Sequence, residues 1–427
     1  MKKITGVLCA LLIAFSTVSS CGTTAPKPAD QTTAGTSRTE TETTAETSTE
    51  AAKETTAETT TAASVTEAAE ETEKGSISDA VEMAAGMKLG WNLGNTLDAT
   101  GGEDLDSETS WGQPAVTKDQ IEYIKECGFT TIRIPVSWNN HVDKDNNIDP
   151  AWMARVKEIV DYAYDSGFYV IINSHHDCDR YYPTEEKFEE SSEYLTDIWT
   201  QIAETFADYD DRLIYESMNE PRLMGTGIEW WFQSSDKKGT AAIETIVKLN
   251  QVFVDTVRAN GKGNNGTRFL MVPSYAASAD FALHDSFVMP EDKVEGKLIA
   301  SIHAYTPYDF TMNSNGYKEW DASRKKELYF MKKLDKKFTQ NGYGVVIGEF
   351  GATNKGNLAD RVAWANDYSE LAASLGIACI LWDNGGTEIG EENFGMINRR
   401  DLKVYYPELL EALLSGYVSE TAEDSAA

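Results

Sequence analysis

From Lys88 onward the chain repeats one unit: a short apolar run, then a longer stretch with helical spacing. Short runs of β-branched and aromatic residues separated by amphipathic helices predict buried parallel strands. Several of the helical stretches end at a glycine, which is typical of helix C-termini. Eight runs occur, at Lys88–Leu93, Thr130–Val136, Tyr169–Ser174, Leu213–Met218, Arg268–Ser274, Leu298–Ala304, Val345–Phe350 and Ala378–Trp382. This series predicts an α/β fold, a closed (β/α)8 barrel of the TIM type over residues 76–416, with an open doubly wound sheet as the alternative.

The N-terminus differs from this repeat. Residues 1–21 contain Lys2 and Lys3, a short apolar stretch and then small residues, which together predict an export signal. Residues 18–21, Val-Ser-Ser-Cys, resemble a bacterial lipobox, in which the cysteine becomes the lipidated first residue. We therefore expect a lipid anchor on Cys21; a cleavable signal with an incidental cysteine is the alternative.

The segments that flank the barrel are poor in apolar residues. Residues 22–75 are almost entirely Thr, Ala, Glu, Ser and Pro, and residues 417–427 are short and polar. Such segments bury too little apolar surface to offset their conformational entropy. We expect a disordered linker at 22–75 and a flexible tail at 417–427. The protein would then be an exported monomer at the cell surface, in contact with the membrane only through its lipid, or else secreted.

Net charge and missing motifs exclude several classes of partner and cofactor. The chain has 69 acidic and 38 basic residues, for a net charge of −31. Proteins that bind nucleic acid need clusters of Lys and Arg, so we expect no nucleic acid partner. No phosphate-binding loop or dinucleotide fingerprint occurs, and we expect no cofactor. The adjacent histidines lack the His-x-His spacing of barrel metallohydrolases, so we expect no metal.

Polar and aromatic residues recur where the predicted strands end. In a barrel, catalytic groups project from the C-terminal ends of the strands. Charged groups are costly to bury there without partners, so their recurrence indicates a site. In chain order they are Asn92, Asn95, Arg133, Trp138, His175, His176, Asn219, Glu220, Ser274, Tyr275, His303, Tyr305, Glu349, Trp382 and Asn384.

Two of these residues suit one kind of chemistry. A glycosidic bond is cleaved by a carboxylic acid that protonates the leaving oxygen and a carboxylate that attacks the sugar, about 5 Å apart in retaining enzymes. Glu220 and Glu349 end the fourth and seventh runs and fit this pair. We expect Arg133 to keep Glu349 ionised, while Glu220 holds its proton. Glu216, on the same strand face as Glu220, is expected to pair with Arg133 structurally.

The neighbours of this pair fit supporting roles. Asn219 could bond the sugar 2-hydroxyl, and Trp382 offers an apolar platform for a pyranose ring. His303 and Tyr305, two apart on one strand face, could hold the acid and bond the nucleophile respectively. Aromatic residues could form walls of a cleft or belong to the core, and both interpretations stay open for Trp138, Tyr181, Trp230, Trp231 and Tyr308.

Seven stretches and a closing tetrapeptide together carry a family resemblance. They are Gly90–Ala99 (GWNLGNTLDA), Trp111–Pro114 (WGQP), Thr131–Val136 (TIRIPV), Ile172–Asp177 (INSHHD), Met218–Pro221 (MNEP), His303–Tyr305 (HAY), Ile347–Gly351 (IGEFG) and Leu381–Asn384 (LWDN). In this order they resemble glycoside hydrolase family 5, in particular its fourth subfamily of endo-β-1,4-glucanases and xyloglucanases. Gln113 departs from the subfamily, which commonly has Asn there.

The resemblance implies roles for matching residues. Glu220 would be the acid/base and Glu349 the nucleophile of a retaining reaction. The supporting and substrate-binding residues would be Arg133, His175, His176, Asn219, His303, Tyr305, Trp382, Asn92, Asn95 and Asn384. Of the two histidines, His175 is the expected family position and His176 its substrate-side neighbour.

The resulting hypothesis is a retaining endo-hydrolase of β-1,4-glucans, acting on cellulose-type, mixed-linkage β-glucan or xyloglucan chains. The sequence does not rank these glucans. One alternative is a β-mannanase or xylanase of the same fold, because the catalytic set does not fix which hydroxyls are accepted. Another is a non-catalytic surface lipoprotein that binds glycans.

Overall fold

The computed structural model describes residues 78–418 and confirms the predicted α/β barrel. Eight parallel strands pair in chain order, and the last closes on the first. They are β1 Leu89–Asn92, β2 Thr131–Ile134, β3 Tyr169–Asn173, β4 Leu213–Glu216, β5 Leu270–Ser278, β6 Leu298–His303, β7 Gly344–Phe350 and β8 Ala378–Leu381. The signal, Cys21, the linker and residues 419–427 of the tail lie outside the described residues.

Helices connect the strands and surround the barrel. They are α1 Asp79–Met87, α2 Lys118–Glu126, α3 Pro150–Asp165, α4 Phe188–Thr205, α5 Lys237–Asn260, α6 Ala279–Ala282, α7 Tyr308–Thr311, α8 Phe330–Lys337, α9 Leu358–Ser374 and α10 Pro407–Ser415. A small hairpin, β9 Ile397–Asn398 and β10 Lys403–Val404, follows β8. No described helix has the length and apolar character needed to cross a membrane.

Helix α1 closes the N-terminal end of the barrel. The Ser78 side chain caps its first turn, and Ala80, Ala84 and Met87 pack on apolar side chains inside the barrel. A β-carbon on Gly344, the first residue of β7, would lie 2.4 Å from the carbonyl oxygen of Ala80, so the helix touches the strand starts. The open end is therefore the C-terminal end, where barrel active sites lie.

Strand register brings the predicted site residues to one level. Asn92 pairs with Arg133, Asn173 with Glu216, and His303 with Glu349. Because these pairs belong to β1–β2, β3–β4 and β6–β7, their side chains surround one barrel mouth.

Strand β5 ends later than the sequence predicted. Its pairing with β6 shifts register between Pro273 and Ser278, and the strand continues to Ser278 instead of ending at Ser274. Ala276 and Ala277 have φ values of 51° and 48° in the shifted part. This bulge turns the strand end, and the Ala276 N–H donates to the carbonyl of Pro221 at 2.9 Å, next to Glu220.

The predicted tail begins too early. Tyr417, its first residue, packs against the main core, and its hydroxyl donates to the carbonyl of Ile377 at 2.9 Å. The body therefore includes Tyr417, because this side chain ties the end of α10 to the start of β8.

Candidate active site

Arg133 lies at the centre of the barrel mouth with no exposed surface. Its Nε donates to Glu216 at 2.7 Å, one terminal nitrogen donates to Glu349 at 2.9 Å and to Asn92 at 3.0 Å, and the other donates to Asn219 at 2.7 Å. A buried guanidinium is tolerated when its donors are matched in this way. The expected pair with Glu216 is present, and Arg133 also joins three of the candidate site residues.

The two candidate catalytic carboxylates face each other above Arg133. Oxygen atoms of Glu220 and Glu349 and a ring nitrogen of His303 all lie within 4.8 Å of one another. Both glutamates are enclosed, with 17% of the Glu220 side chain and 7% of the Glu349 side chain exposed. Such a separation leaves room for a sugar carbon but none for an additional water between the carboxylates, the geometry of retaining glycosidases.

His303 connects the two carboxylates. Its Nδ1 lies 2.8 Å from Glu220 and 3.6 Å from Glu349. Burial opposes the charged imidazole, but the charge of Glu349 and the bond to Glu220 outweigh burial and raise the pKa of His303. Burial alone would raise the pKa of Glu220, yet the hydrogen bond to His303 and the charges of His303 and Arg222 lower it.

The contact with His303 bears on one expectation. The sequence predicts that Glu220 holds its proton until the leaving group takes it. In the structure the hydrogen bond to His303 lowers the pKa of Glu220, and the charge of Glu349 and the bond to Glu220 raise the pKa of His303. These directions favour a proton shared between Glu220 and His303 over one fixed on Glu220 alone.

Glu349 is bonded by both of its oxygens. Oε1 accepts from Arg133 at 2.9 Å, and Oε2 accepts from the Tyr305 hydroxyl at 3.0 Å. Burial raises the pKa of Glu349 and the charge of Glu220 adds to this, whereas His303, Arg133 and Tyr305 lower it. Arg133 therefore opposes protonation of Glu349, as expected, but burial exceeds its effect. Glu349 should accordingly take up a proton at a higher pH than an ordinary glutamate.

Asn219 and Trp382 both lie at the barrel mouth, after β4 and β8. The side-chain oxygen Oδ1 of Asn219 accepts a hydrogen bond from Arg133, so the side-chain NH2 of Asn219 points away from the guanidinium. Trp382 is partly exposed at the end of β8. A β-carbon on Gly94 would lie 2.9 Å from the carbonyl oxygen of Asp383 and 3.0 Å from the Trp382 ring, so glycine lets the first loop approach the indole closely.

The adjacent histidines differ in exposure. His175 is 2% exposed and lies parallel to Trp382, with ring centroids 5.8 Å apart. Burial holds the pKa of His175 well below its ordinary value, and the Asn173 amide contacts its Nδ1 at 3.2 Å. The neutral ring therefore carries its proton on Nε2. His176 is exposed and lies 5.4 Å from the Trp111 ring.

Comparison with known proteins agrees with this geometry. Residues 97–388 match the family model described as cellulase (glycosyl hydrolase family 5). The chain belongs to glycoside hydrolase family 5. Its family 5 domain is 44% identical over 333 residues to endoglucanase B of Ruminococcus albus, covering 77% of this chain and 79% of that protein.

Other relatives agree. Cellulase/esterase CelE of Acetivibrio thermocellus is 43% identical over 79% of this chain, although the chain spans only 40% of CelE. A mutant of the glycoside hydrolase 5 lichenase from Caldicellulosiruptor sp. F32, in complex with cellotetraose, superimposes with a TM-score of 0.76 at 44% identity, covering 79% of this chain and 95% of that one. A GH5-4 broad specificity endoglucanase from Ruminococcus champanellensis with bound cellotriose gives 0.74 at 43%, covering 78% and 98%.

Two predicted substrate-binding residues have other partners in this family 5 domain. Asn92 has no exposed surface, and its amide donates to the carbonyls of Gly348, Ile380 and Leu381. Asn384 donates to the carbonyl of Glu392 at 2.6 Å. Both amides are used within the protein, so Asn92 fixes the barrel mouth and Asn384 orders the loop after β8. Asn95 lies partly exposed on the first loop, with a φ of 57°.

The five candidate wall residues differ in burial. Trp138 and Tyr181 are fully buried and donate to backbone carbonyls, so they belong to the core. Trp231 and Tyr308 are 40% and 42% exposed, as expected of side chains available to a ligand. Trp230 is partly buried beneath the guanidinium of Arg222, 3.9 Å from its ring centroid.

The sequence analysis did not select Arg222. Its guanidinium lies 3.8 Å from the Glu220 carboxylate. A basic residue two positions after the acid/base candidate was the available signal, but the side chain could equally have pointed to solvent.

Two groups in the described part of the chain have donor atoms close enough to hold a metal ion. They are Asp98, His175 and His176, and Glu220, His303 and Glu349. The Asp98 oxygens already accept from the backbone of Asn95 and Thr96. In the second group, the glutamates are bonded to His303, Arg133 and Tyr305. That the reaction needs no metal stays a prediction from the sequence.

Proposed function

We propose that this family 5 protein is a retaining endo-hydrolase of β-1,4-linked glucans, with Glu349 as nucleophile and Glu220 as acid/base. The observation that carries the proposal is the approach of the two carboxylates to within 4.8 Å across one barrel mouth. Inverting enzymes need a larger gap, about 6.5–9.5 Å, to hold a water. Both carboxylates also have the hydrogen-bonding partners that their roles require.

The first step forms a covalent intermediate. Glu349 attacks the anomeric carbon, and the bond to the leaving sugar breaks as Glu220 delivers the proton that it shares with His303. Arg133 and Tyr305 hold the attacking carboxylate in one orientation through both of its oxygens. The Asn219 amide would donate to the sugar 2-hydroxyl, a contact that strengthens in the transition state.

The second step releases the sugar with its original stereochemistry. Glu220 gave its proton to the leaving sugar in the first step, and because esterified Glu349 carries no negative charge, Glu220 stays ionised and can act as a base. It takes a proton from water, which attacks the anomeric carbon from the side that the leaving group vacated, while the ester bond to Glu349 breaks and frees the Glu349 carboxylate. The product keeps the β configuration.

Relatives support a glucan substrate. The R. albus relative is named an endoglucanase, the Caldicellulosiruptor structure is a lichenase complex with cellotetraose, and the R. champanellensis structure is described as a broad specificity endoglucanase. We propose cellulose-type chains and mixed-linkage β-glucan as substrates, and xyloglucan as a further candidate.

Release of reducing ends tests this proposal. The chain is assayed on carboxymethyl-cellulose, lichenan, xyloglucan, mannan and xylan. The variants Glu220→Gln and Glu349→Gln are assayed in parallel, with Glu193→Gln, a change of an exposed glutamate away from the barrel mouth, as the control. We expect activity on the glucans, a loss of about 10²–10⁴-fold or more in both active-site variants, and none in the control. Activity only on mannan or xylan would change the substrate. Oligosaccharide binding without any hydrolysis would favour the glycan-binding lipoprotein.

We also propose an exported monomer anchored through a lipid on Cys21, with membrane contact through that lipid alone. The lipobox-like residues 18–21 support this proposal. Cys21→Ala should move the protein from the membrane fraction to the soluble fraction, and membrane association that persists would contradict the anchor. Sedimentation of the released protein tests the monomer.

A further inference from the structure

Arg222 lies between the acid/base candidate and a second acidic residue. One terminal nitrogen lies 3.8 Å from the Glu220 carboxylate and donates to the Glu220 carbonyl at 3.0 Å. The Nε donates to Glu229 at 3.2 Å. The guanidinium carbon lies over the Trp230 ring, 3.9 Å from its centroid, and only 7% of Arg222 is exposed. Its position is therefore fixed from several sides.

Arg222 is one of several charged or titratable groups that face Glu220. The others are Cys178 and His176 after β3, His303 and Tyr305 at the end of β6, Glu349 on β7 and Glu392 in the loop after β8, with Arg133 on β2 in contact with Glu349. Among them, Arg133 is bound by Glu216 and Glu349, and His303 takes part in the proton pair itself. Arg222 is the cation that meets Glu220 from outside that network.

Glu229 controls how much of this positive charge reaches Glu220. One of its oxygens accepts from Arg222 and the other from the backbone of Gly225 at 2.9 Å. Glu229 is therefore held by the backbone of its own loop as well as by Arg222. Its negative charge partly cancels the field of Arg222, because opposite charges in contact screen each other at a third site.

We propose that Arg222, balanced by Glu229, is a positioning residue that sets the upper pH limit at which Glu220 can still donate its proton. The inference rests on the proposed function and adds to it. A cation beside the Glu220–His303 pair makes the pair lose its proton at a lower pH. An arginine is suited to this because it stays charged across the whole working range.

The test is the pH dependence of kcat/KM for the purified chain on a soluble β-1,4-glucan oligosaccharide. Arg222→Gln should shift the alkaline limb upward by about half a pH unit to one unit, because the pair loses its neighbouring cation. Glu229→Gln should shift it downward, because Arg222 is no longer balanced. Arg222→Lys should restore most of the original limb. The acid limb, which follows Glu349, should move less in each variant.

Arg180→Gln is the matched control. Arg180 follows the same barrel end, but its partners are Asn139, Asn146 and the Tyr194 ring instead of Glu220. This variant makes the same chemical change and should leave the alkaline limb in place. Thermal melting of every variant reports whether it folds, and if Arg222→Gln does not fold, the downward shift in Glu229→Gln decides the question.

Opposite shifts from Arg222→Gln and Glu229→Gln support the inference. An unmoved alkaline limb in both variants overturns it, and so do shifts in the same direction, which would indicate a structural disturbance. These results differ from failure of the proposed function, in which the unmodified chain would hydrolyse none of the glucans.

Discussion

At the residue scale, several side chains of the site share the same hydrogen-bonding partners. One guanidinium, Arg133, serves Glu216, Glu349 and Asn219, and one imidazole, His303, stands between the two catalytic carboxylates. These contacts restrain the distances between the site residues, because a movement of Arg133 disturbs its bonds to several partners at once. This sharing of partners also couples the titrations, so a change at one residue alters the pH at which its neighbours gain or lose protons.

Tyr305→Phe tests this coupling at the nucleophile. The change removes the hydroxyl that donates to Glu349 and lowers its pKa. The pKa of Glu349 should rise further, and since the nucleophile must be ionised, activity should be lost at a higher pH as the solution is acidified. We expect an upward shift of the acid limb of kcat/KM by about half a unit or more.

Tyr368→Phe is the control for this change. The Tyr368 hydroxyl is also buried, but it donates to the backbone carbonyl of Ala304 and touches no carboxylate. The acid limb of kcat/KM for Tyr368→Phe should stay at the wild-type pH even if this variant is less stable. If the acid limbs of the wild type and Tyr305→Phe lie at the same pH, the Tyr305 hydroxyl does not affect the pKa of Glu349.

Much of the site at this scale could be predicted from the sequence. Glu220, Glu349 and the contacts of His303, Tyr305 and Glu216 follow from strand ends and strand alternation, which the sequence displays. Asn92 and Arg222 could not be placed in the same way. Whether an asparagine faces the substrate or the barrel wall, and whether an arginine turns inward, depends on neighbours that only the folded loops supply.

At the scale of elements, the strands gave the clearest signal in the sequence. Buried strands show as continuous apolar runs, and all eight occur near their predicted positions. Helix α1 was not predicted, because its small residues Ala80 and Ala84 give little signal until a closed barrel exists for them to plug. The bulge in β5 had no glycine to mark it, since alanines at 276 and 277 adopt the positive φ.

Local capping makes a separate contribution to stability. The Thr117 hydroxyl accepts from the Gln120 backbone, and the Gln120 side chain accepts from the Thr117 backbone, each at 3.3 Å, at the start of α2. Thr117→Ala should lower the free energy of unfolding by about 0.5–2 kcal/mol, because a helix N–H loses its acceptor. Urea denaturation followed by tryptophan fluorescence measures this.

Thr196→Ala provides the comparison. Thr196 is exposed within α4, where alanine is a better helix former, so its unfolding free energy should change by no more than about 0.5 kcal/mol. If the two variants lose the same stability, the capping box does not contribute as the structure indicates.

At the scale of the whole molecule, closure ties distant parts of the chain together. Strand β8 pairs with β1, the Trp91 indole donates to Asp383 at 2.8 Å, and Tyr417 is bonded to Ile377. The eight-unit repeat predicted this closure, because eight strand-helix units with polar residues at the strand ends are typical of a closed barrel. The end of the body could not be predicted, since Tyr417 lies in a polar segment and its role depends on where α10 packs.

Two truncations test where the body ends. A chain that stops at Val418 keeps the Tyr417 contact, whereas a chain that stops at Gly416 loses the hydrogen bond and the packing of the ring. The shorter chain should melt on the order of 2 °C or more below the longer one. If the two chains melt at the same temperature, Tyr417 does not stabilise the body and belongs to the flexible tail.

The assignment of Glu349 as nucleophile is tested most directly by trapping the covalent intermediate. A 2-deoxy-2-fluoro-β-cellobioside with an activated leaving group allows the first step but slows the second, so the intermediate accumulates. Mass spectrometry of the digested protein should find one 2-deoxy-2-fluorocellobiosyl group per chain, on the peptide that contains Glu349. A sugar on any other side chain, or full turnover without inactivation, would contradict the account.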